Sequence, residues 1–414
     1  MQLLYNFGIW LYGLVVRLLA LFGHAQAKRW VTGRQEIWHR LEKLPRNRPV
    51  IWFHTASAGE FEQGRPLLEA YKATYPEHVV LLSFFSPSGY ELRKNYEGAD
   101  VVCYLPEDKP ALVKRWLKIT QPKLAVFVKY EFWFHHYTQL KAQNIPLLLI
   151  SAPFRPNQAF FKWPTKVFWG KMLSAVRHFY VQDATSKQLL SGLGYSNVTI
   201  CGDTRLDRVL ALPASPFNDE LLDAFSKNQT VLVAGSTWPA DEKMLADLLQ
   251  RPGFEKLRLL VVPHEITAVS LAKTLRVFGA HTQLYTQSSP EKAAQAQVLV
   301  LDTMGMLSKV YRLGQAAYVG GGFGKGIHNL LEPAVYHIPV FFGPKNQKFL
   351  EAAALQKAQI GFEIQSTQAL AAALQPFLTS EKAQQELHSK AQAWFGSQAG
   401  ATAIIMADLQ KMSL

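Results

Sequence analysis

Two cysteines in 414 residues, Cys103 and Cys201, leave no room for a disulfide framework. Both fall inside strand-like apolar runs, so they read as reduced core residues of a protein working in a cytosolic compartment. No motif has zinc-finger spacing, and no metal site is expected. Acidic residues are also scarce, 31 Asp and Glu against 44 Lys and Arg, which leaves a net charge of +13. That surplus points to a polyanionic partner: nucleic acid, anionic lipid or a phosphorylated substrate. Nucleic acid fits least, because the Lys and Arg residues are spread along the chain and no recognition motif accompanies them. Solenoid repeats and low-complexity tracts are missing too. With 49% hydrophobic residues the chain is a folded protein, and its length makes two domains the default.

One long apolar run stands at the start, Leu3 to Ala25, with Arg17 its only charged residue apart from histidine. As a helix it would reach about 30 Å, the thickness of a hydrocarbon core. A cleaved signal peptide is suggested by Ala25-Gln26-Ala27, but no basic residue precedes the run. A buried core helix is a second reading. A membrane anchor is favoured, because Lys28, Arg29, Arg34, Arg40, Lys43, Arg46 and Arg48 follow it and would hold anionic headgroups on the cytoplasmic flank. Arg17 would then have to snorkel or pair. Residues 1–27 are therefore expected to be a separable anchor, with deletion of residues 1–25 leaving both domains folded.

From Pro49 onward, short apolar runs alternate with helical-period stretches, the signature of βαβ units and a parallel sheet. The stretch Leu210–Asn218 carries two prolines and no periodicity, as a linker would. A second α/β series follows it. The expected organisation is an N-terminal Rossmann-like domain over 28–209, a linker over 210–220 and a second Rossmann-like domain over 221–414. The two would face a cleft, with ligands at the carboxyl ends of the strands.

The turns after those strands hold the candidate chemistry. His54–Gly64 (HTASAGEFEQG) places Ser57, Gly59 and Glu60 where a strand becomes a helix. A carboxylate there can simply face the positive end of the helix dipole, and the alternative is a base. Ser86–Gly89, Lys129–Trp133 with Glu131, and Ser151–Arg155 are the other turns of the first half. Ser236 or Thr237 is a natural helix N-cap in the second half. The densest signal is Ala317–Pro333 (AYVGGGFGKGIHNLLEP), with five glycines between Gly320 and Gly326, then His328, Asn329 and a helix carrying Glu332. Glycines allow close approach of backbone to ligand, and a helix start supplies unpaired N–H groups for a phosphate. The spacing is neither a Walker loop nor a dinucleotide fingerprint. Lys345 and Lys348 add cations one strand further on.

In this order the motifs resemble the Kdo (3-deoxy-D-manno-octulosonic acid) transferases of lipopolysaccharide assembly. The carriers are Ser57–Glu60, Ser86–Gly89, Glu131–Trp133, Gly202–Asp207, Ala234–Thr237, Asp302–Gly305, Gly320–Pro333 and Phe342–Pro344. The resemblance implies an inverting glycosyltransferase of the two-domain GT-B type, using CMP-Kdo as donor and a lipid A precursor (lipid IVA) as acceptor, with no metal or cofactor. It places the work at the cytoplasmic face of the inner membrane and makes Glu60 the base. It gives Ser57, Gly59, Ser88, Glu131 and Arg155 to acceptor positioning. Donor binding would fall to Ser236, Thr237, His264, Thr303, Met304, Gly305, Gly321, Gly322, His328, Asn329, Glu332 and Lys345. Three positions depart from the family pattern. Pro263-His264-Glu265 stands for Pro-Arg-His, Met306 for Glu, and Pro153 for Arg. The alternatives are a nucleotide-sugar epimerase of the same architecture, and a membrane-tethered binder without activity.

Overall fold

The structure is a computed structural model that describes residues 1–412, apart from Tyr130, Pro164 and Ala399. Contacts divide the chain into two units, Met1–Asp207 with Gly400–Leu414, and Arg208–Ala399.

The first unit is built on β1 (Val50–Thr55), β2 (Val79–Phe84), β3 (Val101–Tyr104), β4 (Leu124–Val128), β5 (Leu147–Ala152), β6 (Val176–Val181) and β7 (Val198–Ile200). All pairs are parallel, in the order β3-β2-β1-β4-β5-β6-β7. The sequence order reverses between β1 and β4, so a crevice opens there beyond the strand ends. β1 is buried at every position because helices cover both faces, which is why it reads as an unbroken apolar run. Trp52 at its centre meets Trp116 at 5.2 Å and satisfies its indole N–H on Ser83 Oγ at 2.7 Å.

The helices that frame the site are α1 (Gln2–Leu21), α2 (Ala25–Gln35), α3 (Ala58–Thr74), α4 (Pro87–Arg93), α5 (Phe134–Ala142), α6 (Thr165–Leu173), α7 (Pro239–Leu249), α8 (Leu331–Ala334) and α9 (Ala401–Lys411). Helix α3 buries Phe61, Leu67, Leu68 and Tyr71 on the sheet. It can close onto β4 because Gly64 faces Val128, where a Cβ would fall 2.8 Å from Cγ2.

The second unit repeats the plan with β8 (Val231–Thr237), β9 (Arg258–Pro263), β10 (Thr282–Leu284), β11 (Val298–Val300), β12 (Ala316–Val319), β13 (Val340–Phe342) and β14 (Gly361–Glu363). Its parallel order is β10-β11-β9-β8-β12-β13-β14, with the reversal between β8 and β12. The edge strands β10 and β14 have three residues each, too short to leave a periodic signal.

Two expectations change. Residues 400–412 pack with the first unit instead of completing a domain over 221–414. Asp207 explains the return: its carboxylate accepts the N–H groups of Gly400 (2.8 Å) and Thr402 (2.6 Å), capping α9, whose Ala401, Ile405 and Leu409 are buried. The apolar N-terminal helix is also no detached anchor. Among the described residues α1 is the helix long and apolar enough to cross a membrane. Yet Tyr5 donates to Asp108 (2.5 Å) and Arg17 pairs with Glu107, both in the turn after β3.

Candidate active site

In the first unit the site grows from the ends of β2, β1 and β4, around the reversal of strand order. Ser57 is the N-cap position of α3 and Glu60 its third helical residue. There a capping box would have the serine oxygen accept a backbone N–H. Ser57 makes no such cap and donates its hydroxyl to the Glu60 carboxylate instead. Glu60 stays half-buried and Gly59 exposed, open on the solvent side. The neighbouring turn is tied to this one by Ser86 N–H on the Ala56 carbonyl at 2.7 Å. Ser86 caps α4 and shares a 2.8 Å hydrogen bond with the exposed Ser88 hydroxyl. The two helix starts meet this closely because residue 89 is glycine: a Cβ would lie 2.8 Å from the Ser57 carbonyl carbon and 2.9 Å from the Ala58 nitrogen.

Glu131, after β4, is held differently. It is buried, and its Oε2 accepts from His54 Nε2 at 2.8 Å and from Trp133 Nε1 at 2.9 Å. The Tyr137 hydroxyl donates to its backbone carbonyl at 2.9 Å. His54 Nδ1 lies 2.9 Å from Ser83 Oγ, which already accepts from Trp52. The same Nδ1 also lies 3.1 Å from the Ser83 backbone carbonyl oxygen, so both ring nitrogens are engaged. Arg155 is exposed beyond β5, its backbone N–H on Gln158 at 2.9 Å. Among the described residues no hydrogen bond joins its side chain to Glu60 or Glu131.

Gly202–Asp207 is a clasp. Asp203 accepts from Gln63 (3.1 Å), Gln182 (3.3 Å) and Arg205 (2.8 Å), while Thr204 donates to the Gln63 carbonyl and shares a hydrogen bond with Ser151 at 2.8 Å.

In the second unit the corresponding strand ends, β8 and β12, carry the glycine loop. Gly320 N–H donates to the Gly235 carbonyl at 2.9 Å, and a Cβ on Gly320 would fall 2.4 Å from the Ser236 carbonyl oxygen. Gly322 lies against Gly343, where its Cβ would meet Cα at 2.5 Å. Gly321 has φ +91°, open to glycine without strain. Asp241 staples the turn, accepting from Tyr318 (2.6 Å), Gly321 N–H (2.9 Å) and Trp238 N–H (2.9 Å). The N-cap of α7 is therefore Trp238, not Ser236 or Thr237. Thr237 donates to Glu242 at 3.1 Å, and Ser236 adopts φ +53°, a costly left-handed backbone for a serine.

His264, exposed after β9, stacks between Trp238 (4.5 Å) and His328 (4.6 Å), and Lys325 sits 4.4 Å over the indole. Burial, with His264 beside it, lowers the pKa of His328 and keeps it neutral. Lys345 is exposed and donates to the Gly324 carbonyl at 2.9 Å. Thr303 donates to Met306 Sδ at 3.1 Å, Met304 is exposed, and Gly305 turns with φ +83°.

Glu332 does not follow a full turn of helix, because α8 has only four residues and begins at Leu331. Asn329, just before that turn, accepts Leu331 N–H on Oδ1 at 3.0 Å and donates through Nδ2 to Glu332 at 3.1 Å. Burial raises the Glu332 pKa above the usual carboxylate range, and Asn329 and the Arg208 guanidinium pull the other way.

Sequence reasoning passed over His54, Asp241 and Thr204. Each acts through a partner far along the chain, and the one local sign was a polar residue inside an apolar strand or at a helix start.

The sequence profile for 3-deoxy-D-manno-octulosonic-acid transferase (kdotransferase) matches residues 32–208. The enzyme of that name from Aquifex aeolicus is 28% identical over 82% of this chain and 89% of its own. The one from Haemophilus influenzae is 27% identical over 81% of each. The chain is thus similar to the Kdo transferases over most of its length. It is a glycosyltransferase of lipopolysaccharide biosynthesis. Solved structures agree on the GT-B-like fold. A calicheamicin glycosyltransferase superposes with a TM-score of 0.56, at 10% identity over 89% of this chain and all of its own, 100%. The UDP-GlcNAc 2-epimerase from Neisseria meningitidis gives 0.60 at 12% identity over 88% and 100%. At such identity that likeness is one of fold alone, whereas the likeness to the Kdo transferases is one of sequence.

Proposed function

We propose that this glycosyltransferase moves Kdo from CMP-Kdo to a lipid A precursor, with inversion, without a metal ion, and with Glu60 as base. The observation that carries the assignment of the base is the difference between the two carboxylates. Glu131 is buried, and the two N–H donors on its Oε2 fix it to its own turn. Glu60 is half-buried with one hydroxyl partner, so it keeps lone pairs for an incoming hydroxyl. In the reaction an acceptor hydroxyl oxygen bonds to the anomeric carbon as the bond to the CMP phosphate breaks. Glu60 takes the hydroxyl proton. Loop amides around Gly321 and Gly322, with His264 and Lys345, would receive the phosphate charge, and Glu332 the ribose hydroxyls. Ser57, Gly59, Ser88, Glu131 and Arg155 would position the acceptor, and Ser236, Thr237, Thr303, Met304, Gly305, His328 and Asn329 would shape the donor side.

The acceptor is lipid-borne, so the work is placed at the cytoplasmic face of the inner membrane. The test is to incubate the full chain with CMP-Kdo and a tetra-acylated lipid A precursor and weigh the product. A mass increase of whole Kdo units is expected, and excess EDTA should leave its rate unchanged. No increase, with folded protein and intact donor, would overturn the reading.

A further inference from the structure

We propose that α1 lies in the plane of an anionic membrane surface as a fixed edge of the first unit, and does not cross the bilayer. The inference rests on the reading that a membrane is this unit's neighbour, and it is independent of the sugar chemistry.

The helix has two unlike sides. Tyr5, Asn6, Ile9, Gly13, Val16 and Ala20 recur at helical spacing and are half-buried or buried. Along that side the bonds to the unit are polar. Tyr5 donates to Asp108 at 2.5 Å and accepts Phe134 N–H at 3.3 Å. Asn6 Oδ1 meets His135 Nε2 at 2.6 Å. Three turns later Arg17 pairs with Glu107. Gly13 makes room for that pair, since a Cβ there would fall 2.6 Å from both Arg17 Nη1 and Glu107 Oε2. From Tyr5 to Arg17 is 12 residues, about 18 Å of helix fixed along the surface of a folded domain.

A crossing helix could not keep these bonds. It would carry Asn6 and Arg17 into hydrocarbon and strand two carboxylates, of which Asp108 is wholly buried. Despite that burial, His136 and Tyr5 hold the Asp108 carboxyl below its ordinary range, so it is ionised and needs its partners.

The other side of α1 is apolar and uncovered: Leu4 is 67% exposed, Leu11 42% and Leu18 44%. The surface continues onto α6, whose Phe168 packs 5.7 Å from Tyr5, and beyond it Trp163 and Val167 stand 85% and 75% exposed. Cations rim it: Lys162 and Lys166 on the α6 side, Lys28 and Arg29 on α2, all exposed. An apolar strip edged by lysine and arginine matches the interface of an anionic bilayer, apolar face in the acyl boundary and cations at the headgroups. Its inner bonds reach α5, which begins three residues after Glu131. Lipid surface and acceptor turn are thus joined through one buried aspartate.

Leu4, Leu11 and Leu18 are seven residues apart and so share a face within about 20° per step. Each is replaced singly (Leu4→Cys, Leu11→Cys, Leu18→Cys) in the full chain and spin-labelled. The native thiols do not interfere, because burial pushes Cys103 and Cys201 up to about 12. Depth is then read on phosphatidylglycerol-containing vesicles by collision with oxygen and a nickel chelate. All three labels should sit equally shallow, about 5–10 Å into the headgroup and acyl boundary. A central label about 10 Å deeper than both outer ones, as 1.5 Å per residue demands of a crossing helix, would overturn the proposal. Binding should drop at least tenfold on vesicles of phosphatidylcholine alone, and undiminished binding would overturn the anionic assignment. Failure of the full chain to bind either vesicle would remove the membrane as partner. Glycosyl transfer to a detergent-dispersed acceptor, measured in the same preparation, would then still stand or fall on its own.

Discussion

The two units carry the same topological device and equip it with opposite chemistry. In each, the strand order reverses between the first strand and the fourth or fifth in sequence, β1 with β4 and β8 with β12. The first unit puts carboxylates at that point: Glu60 after β1 and Glu131 after β4, the latter clamped by His54 and Trp133. The second unit puts backbone amides, an imidazole and a lysine around it: the Gly320–Gly326 loop, His264 stacked on Trp238, and Lys345. A parallel sheet leaves only the turns at its carboxyl edge free to vary, so chemistry is set by which residues stand in them. Carboxylates suit a hydroxyl that must lose a proton, whereas amides and cations suit a leaving phosphate.

The largest effect should come from the carboxylate side. Glu60→Gln keeps shape and acceptor oxygen but cannot take a proton, so turnover should fall about 10²–10⁴-fold with CMP affinity intact. Glu131→Gln, which still offers an oxygen to His54 and Trp133, should lose less than tenfold. Steady-state rates checked beside calorimetric CMP binding would reverse the two roles if the losses exchanged. On the other side, Glu332→Ala should weaken CMP binding by about 1.5–3 kcal/mol, the loss of a buried charged hydrogen bond, without touching the acceptor. Unchanged affinity would take Glu332 out of the donor contacts. Gly320→Ala pushes a methyl into the Ser236 carbonyl and should cost about 1–3 kcal/mol of stability, read by thermal melting. A fully stable Gly320→Ala protein would mean the loop is looser than its geometry requires.

The smallest effect is on pH dependence, and its sign differs between the units. Burial raises Glu332 in the folded state, so the native protein holds that proton more tightly than the unfolded chain. Its contribution therefore falls as pH rises from about the unfolded carboxylate value, about 4.3, through the raised one. Asp108 is lowered, so its contribution is full above the unfolded value and is lost as pH falls through the folded one. Melting points followed from pH 4 to 7 should decline less steeply with rising pH in Glu332→Gln than in the unaltered chain. An identical slope would mean that Glu332 titrates as an exposed acid.

The alternation of strands and helices was plain in the sequence, because β1, β4, β9 and β12 are buried on both faces and read as unbroken apolar runs. The glycine loop was equally plain, since five glycines between a strand and a helix have few structural uses. Serine and threonine before α7 looked like caps, but the turn runs one residue further and Trp238 takes that place. Glu60 and Glu131 looked alike, each a carboxylate in a turn after a strand. Part of the difference is local, Trp133 on Glu131 and Ser57 on Glu60. The rest comes from His54, 77 positions before Glu131, on a neighbouring strand.

Local pattern and composition alone determined two parallel α/β units, a phosphate-suited loop in the second, and an apolar N-terminal helix followed by basic charge. These are properties of periodicity and residue type, which the chain carries wherever it folds. Only the tertiary structure decided that Glu131 is buried against His54, that the last helix returns to the first unit on Asp207, and that α1 is bonded through Tyr5 and Arg17 along the domain surface. Each of those outcomes depends on a polar group meeting a partner distant in sequence. The cost of withdrawing a polar group or charge from water without such a partner is what fixes them, and that cost exists only once the chain has brought the two together.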